Sequence, residues 1–211
     1  MTRMWMTYGQ AQGRHVVCGD AESSGEVHLL PGWDGPVDLV GSDLVLLMLA
    51  APTKVRVAQG RVNGITRLEK LLYLADKETE VSAAVLDERL VFKAYDYGPF
   101  SKEVYEAAEI LEEAGLVREE RQVSGQSVDS LEAVEVTGAV ESDEYVTRCF
   151  VLTDQGRAVA RLLGEQHPSV VSALSGIKDR YASRPLASLI QYVYRAYPES
   201  AVNSKIRDRV L

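Results

Sequence analysis

Between Ser101 and Gly115 five carboxylates, Glu103, Glu106, Glu109, Glu112 and Glu113, stand against one cation, Lys102. Glutamates at this spacing share the outer face of a helix. Such a row repels phosphates, so it disfavours insertion into a DNA groove, where affinity rests on neutralising backbone charge. Two readings remain. The row is a solvated helix face, or Glu103, Glu106, Glu109 and Glu113 form a contact face for a basic protein partner.

Cations gather elsewhere. Lys54, Arg56, Arg61, Arg67 and Lys70 face only Glu69 within residues 54–70, and they are the candidate nucleic-acid contacts. A second basic stretch, residues 176–211, carries Lys178, Arg180, Arg184, Arg195, Lys205, Arg207 and Arg209. Residues 76–120 hold 13 acids against 5 bases, so charge is polarised along the chain. Its plain reading is pairing of the positive and negative stretches, within one chain or across a dimer. Its sharper reading is a nucleic-acid surface away from the usual groove helix.

Tyr95, Tyr97, Phe100 and Tyr105 surround Gly98-Pro99. This aromatic corner reads as packing around a stiff turn, or as a platform for a partner's side chain. Catalysis finds little to work with. The three histidines, His15, His28 and His167, are scattered. No nucleophile–histidine pair, metal-ligand spacing or phosphate loop is evident, so neither enzyme activity nor a cofactor is expected. The two cysteines, Cys18 and Cys149, lie far apart, and Cys149 beside Phe150 reads as a small buried hydrophobe.

These residues must be carried by a chain of 211 residues, 46% hydrophobic and 26% charged, with net charge -8. That composition suffices for a real core and lacks the basic balance of a typical DNA-binding domain. The longest apolar run, Leu44 to Ala51, is too short to span a bilayer, and no apolar leader opens the sequence. A cytoplasmic protein with no membrane contact is the expectation.

Residues 1–41 form a Gly-rich arm, expected to be poorly ordered or loosely docked, with short strands in His15–Cys18 and Val27–Leu30 as the alternative. From residue 42 the pattern sharpens. Ser42 or Asp43 caps an apolar helix ended by Pro52. Thr66 caps a second helix running to Glu78, with Leu68, Leu71, Leu72 and Ala75 on one stripe. Phe92–Phe100 is a short strand broken by Gly-Pro. Ser101 caps the acidic helix, whose core face is Val104, Ala107, Ala108, Leu111 and Ala114 and which ends at Gly115. Extended segments from Leu116 and from Tyr145 to Leu152 flank a polar loop at 122–144, and Thr153-Asp154 opens a further helix. Past Pro168 the chain is helical again, with boundaries at Pro185 and Pro198. The fold class expected is mainly α with a small β-hairpin (α+β): a winged helix-turn-helix core at 42–166, its wing at 122–144, and a C-terminal helical extension at 167–211.

Three blocks carry a family likeness. Gly64-Ile-Thr-Arg-Leu-Glu-Lys-Leu-Leu-Tyr-Leu-Ala-Asp-Lys-Glu78 resembles a G-x-T-x-L-x-K-L-x-F-L helix. Phe92-Lys-Ala-Tyr-Asp-Tyr-Gly-Pro-Phe-Ser-Lys-Glu-Val-Tyr105 resembles an F-x-x-Y-x-Y-G-P-F-S-x-x-L-Y segment. Tyr192-Val-Tyr-Arg-Ala-Tyr-Pro-Glu199 with Ser204-Lys205-Ile206 resembles the C-terminal stretch that accompanies them. Together they resemble the YwgA-like family of uncharacterised prokaryotic winged-helix proteins, which is similar to the Panacea antitoxin-associated domain. The resemblance covers about residues 42–211. It implies a winged-helix fold and a regulatory, toxin–antitoxin or phage-defence setting, and it carries no active-site residues. The acidic third helix departs from a DNA-reading pattern.

The function expected is therefore that of a non-enzymatic regulatory or accessory protein acting through protein contacts. Its alternatives are a dimeric sequence-specific DNA-binding regulator, with nucleic acid and a second copy as partners, and an antitoxin covering a basic toxin surface.

Overall fold

The computed structural model describes residues 38–124 and 145–211, together with three two-residue strands nearer the N-terminus. Those strands, β1 (Thr7–Tyr8), β2 (Val16–Val17) and β3 (His28–Leu29), pair antiparallel in sequence order. Two of them fall in the segments whose alternation suggested strands. The remainder of the arm, with His15 and Cys18, and residues 125–144 of the expected wing lie outside the described residues.

The fold is mixed α and β. After β4 (Leu39–Val40) comes α1 (Gly41–Ala50), of which Gly41 to Leu49 are all buried. Its sequence is apolar all round, and a helix of that kind belongs inside a core. The N-cap is Val40, not Ser42 or Asp43. Asp43 sits one turn in, where its carboxylate accepts the Val40 amide at 2.9 Å. An acceptor at the third helical position satisfies an orphan amide as well as a cap side chain does.

A strand absent from the sequence expectation follows, β5 (Arg61–Asn63), then α2 (Ile65–Glu78), whose N-cap is Gly64 instead of Thr66. Short β6 (Val85–Asp87) pairs parallel with β4. The Phe92–Phe100 segment is not one broken strand. It is a tight hairpin, β7 (Lys93–Tyr95) and β8 (Gly98–Phe100), with Asp96-Tyr97 at its tip. Gly98 adopts φ +95°, and a Cβ there would stand 2.6 Å from the Tyr194 ring, so only glycine fits.

α3 (Lys102–Glu113) has Ser101 as its N-cap residue, although the Ser101 hydroxyl donates to Glu103 Oε2 at 2.7 Å. Its apolar side, Val104, Ala107, Ala108 and Leu111, packs into the core. The helix closes in a Schellman motif: Leu116 N donates to Leu111 O and Gly115 N to Glu112 O, with Gly115 at φ +69°. The long strands β9 (Val117–Ser124) and β10 (Tyr145–Leu152) pair antiparallel over their full length, and β10 also pairs with β5. The sheet order is thus β5-β10-β9.

Thr153 caps α4 (Asp154–Gln166), accepting Gly156 N at 2.9 Å. Pro168 is the first residue of α5 (Pro168–Tyr181), and Pro185 precedes α6 (Leu186–Ala196). A 3-10 turn (Pro198–Ala201) and the single-turn α7 (Arg207–Val210) complete the chain. The expected boundary at residue 167 falls between α4 and α5, but the core runs through it. Leu174, Ile177, Leu189, Ile190 and Val193 belong to the same buried cluster as Leu46, Leu68 and Leu111. Among the described residues no helix is long and apolar enough to cross a membrane.

Candidate functional site

The face of α3 turned away from the core carries Glu106, Glu109, Ile110 and Glu113, residues one helical turn apart, with Glu112 beside them; all are exposed. Ile110 is 47% exposed at the centre of these carboxylates. Lys102 pairs with Glu106, which holds the Lys102 amine above its ordinary pKa. Glu109, Glu112 and Glu113 form no ion pair among the described residues. Glu103 stands apart, half-buried and held by Ser101. Of the four expected contact residues, three therefore lie on the open face and one braces the helix start.

The aromatic corner splits in two. Tyr95, Phe100 and Tyr105 stack in sequence, with ring centroids 5.2 and 5.4 Å apart, and Tyr95 is 55% exposed. They make a strip that runs from the hairpin onto the first turn of α3. Tyr97 leaves this strip and packs against the core, which Tyr105 also touches.

Two buried charges fix that hairpin. Glu69 and Lys70, neighbours on α2, are 2% and 1% exposed. Glu69 Oε1 accepts the Ser101 amide at 3.0 Å, and Lys70 Nζ donates to Pro99 O at 2.8 Å while standing 3.4 Å from Glu69 Oε2. From the other side Tyr194 lies against Gly98, its hydroxyl 2.7 Å from Ser204 Oγ. Burial pushes the Tyr194 phenol pKa up. Asn203 and Lys205 reach the hairpin backbone at Ala94 and Asp96. Residues of α2, of the 92–105 segment and of the 192–206 stretch thus converge on one turn and hold the strip and the start of α3.

Lys70 must accordingly be removed from the candidate nucleic-acid contacts, because its amine is sealed inside the protein. Arg61 is largely engaged. It donates to Cys149 Sγ at 2.8 Å and stands 3.9 Å from Glu120. Cys149 is fully buried, as its apolar neighbours implied, and its thiol donates to Asn63 Oδ1 at 3.0 Å. Arg67 donates to the backbone oxygens of Asn63 and Arg184. Lys54 and Arg56 are exposed on the loop after α1. The five cations are not brought together as one patch.

Sequence reasoning missed a cluster at the end of α2. Glu78 accepts the hydroxyls of Tyr181 (2.8 and 3.0 Å) and Tyr192 (3.0 Å) and pairs with Arg180 at 2.9 Å. The Arg184 guanidinium lies 5.0 and 5.5 Å from the two ring centroids. Burial, then the hydrogen bonds to Tyr192 and Glu78, raises the Tyr181 pKa. Through these contacts Glu78 ties α5 and α6 to α2. The tyrosine pair 181 and 192 had no sequence signal pointing to Glu78.

Among the described residues no cluster of three or more histidines, cysteines or carboxylates could hold a metal. Compared with family models, curated proteins and solved structures, the chain matches none.

Proposed function

We propose that this chain is a non-enzymatic, cytoplasmic winged-helix regulatory or accessory protein that acts through protein contacts, with the outer face of α3 as its docking surface. The order α1, β5, α2, α3, β9, β10, with the short strands β6, β7 and β8 inserted between α2 and α3 and with β10 between β5 and β9, supports the winged helix-turn-helix reading. In that reading α3 takes the place of the recognition helix and the β9–β10 connection that of the wing. The observation that carries the function is the exposed Ile110 set among Glu106, Glu109 and Glu113. An apolar knob among carboxylates, of which Glu109 and Glu113 form no ion pair among the described residues, suits a basic protein surface with a small apolar pocket, and it repels nucleic-acid phosphates. A toxin–antitoxin or phage-defence setting follows from the family resemblance and supplies the kind of partner to seek.

Co-purification from native extract tests this. The wild-type chain recovers a specific basic protein, and Ile110→Asp or Glu109→Lys/Glu113→Lys loses it without a change in melting temperature beyond a few degrees. Recovery that is identical for all three chains overturns the assignment of the surface, and recovery of nothing overturns the function.

One observation favours a second reading, a dimeric sequence-specific DNA-binding transcriptional regulator: Lys54 and Arg56 are exposed. A shift assay at low salt, where phosphate contacts are strongest, decides it. Binding that falls on Lys54→Glu/Arg56→Glu supports that reading, and no shift removes it.

A further inference from the structure

A groove of about 770 Å³ opens between the C-terminal end of α1, α4 and α5. Its base is apolar: Leu47, Ala50, Leu152, Ala160 and Val171. Cavities of roughly 300–1,000 Å³ with apolar walls and a few placed polar groups are what small ligands occupy. Here the cations are two arginines one turn apart on the rim, Arg157 and Arg161, with Gln59, Ser172 and Ser175 as neutral polar neighbours. Arg157 spends part of its charge on Asp154, 3.2 Å away, and Arg161 makes no ion pair among the described residues. One turn further along α4 Glu165 closes the far end of the rim with the opposite sign.

From this arrangement we infer that the groove binds an amphiphilic monoanion: an aliphatic or aromatic body laid on the apolar base, its carboxylate or sulfonate head between Arg157 and Arg161. A guanidinium pair grips such a planar or tetrahedral head through charge-assisted hydrogen bonds. The carboxylates of Asp154 and Glu165 on either side disfavour a polyanion such as a nucleoside triphosphate, and the apolar base offers nothing to a sugar. The site lies on α1, α4 and α5, whereas the docking face proposed above lies on α3, so each stands or falls alone.

The probe is 8-anilinonaphthalene-1-sulfonate, titrated by fluorescence against the full chain, with dodecanoate as competitor. The expected result is saturable binding to one site, displaced by dodecanoate. Arg157→Gln/Arg161→Gln weakens it by about tenfold, the scale of losing charged hydrogen bonds. N-phenyl-1-naphthylamine, the same body without the sulfonate, binds more weakly and is indifferent to that double substitution. Ser172→Trp, at an exposed position on the groove wall, blocks both probes. Circular dichroism and melting temperature establish that each variant is folded. Sulfonate binding that survives both the arginine and the tryptophan substitutions belongs to another surface and overturns the inference. So does the absence of saturable binding, or binding in which the neutral probe matches the anion.

Discussion

Lys178 makes the sharpest quantitative prediction. Its side chain is fully buried, and its amine donates to Leu49 O at 2.7 Å and Ala51 O at 3.3 Å, the carbonyls at the end of α1. Those carbonyls and the helix dipole favour a cation, but among the described residues no carboxylate forms an ion pair with it. Burial prevails and lowers the pKa from 10.5 to about 7. The folded chain therefore gives up this proton more easily than the unfolded chain, in which lysine keeps its ordinary value. Between those two values the unfolded state binds more protons, so stability rises with pH. Below about 7 both states are protonated and the contribution is flat. Over the interval from pH 7 to pH 9 linkage gives a gain of about 2 kcal/mol, since each unit of full proton difference is worth about 1.4 kcal/mol. For a chain of 211 residues that corresponds to about 6 °C in melting temperature. Urea unfolding across this range is the assay, with Lys178→Met measured in parallel. Cysteine thiols and the α-amino group also titrate there, so the difference between the two chains is the readout. Lys178→Met should lack the rise. Parallel pH profiles would refute the reasoning and show that the helix end keeps the amine charged.

Three further substitutions probe the supports of the docking face and of α4. Gly98→Ala places a methyl group against Tyr194 at a left-handed backbone position and should cost about 3 kcal/mol in urea unfolding. Glu69→Gln keeps an acceptor for the Ser101 amide but strips Lys70 of its counter-charge; a loss of about 3 kcal/mol is expected, and Tyr95 should become more accessible to iodination as the hairpin loosens. Thr153→Ala removes the hydroxyl that accepts Gly156 N and donates to Gly115 O at 2.7 Å. It should lower stability by about 1–2 kcal/mol and leave the pH profile assigned to Lys178 unchanged.

The helices were legible in the sequence because their signals are local. Periodic apolar residues, Ser101 and Thr153 at N-caps, Gly115 past a C-terminus and Pro168 at a first turn each act within a few residues. β5 was not legible: Arg61-Val62-Asn63 is too short to show an alternation, and its pairing with Cys149–Val151 is set by a strand far along the chain. Gly98-Pro99 read as a break because glycine and proline punctuate strands. Inside the hairpin they form the second strand, since a glycine is what permits Tyr194 to approach. Lys70 shows the limit most clearly. Off the apolar stripe of α2 it reads as a surface cation, and only the fold brings Pro99 O over it. Most of the acidic face of α3 was readable, because exposure follows helical spacing; Glu103 was not, since Ser101 Oγ holds it at the helix start. The groove was not, for its walls join α1 to α4 and α5, about a hundred residues further along the chain.

The stitching of the C-terminal helices into the core also governs when this chain can fold. The end of α1 waits for a lysine 129 residues downstream, Glu78 for a tyrosine 114 residues away, and the backbone of Asp96 for Ser204, 108 residues away. A ribosome releases those partners only after the hundred or so residues between have been made, so the earlier helices leave the exit tunnel with buried polar groups unmatched and apolar faces uncovered. Closure of the core thereby waits on contacts of high sequence separation, which form slowly. Until they form, the apolar faces of α1 and α2 stand open to aggregation.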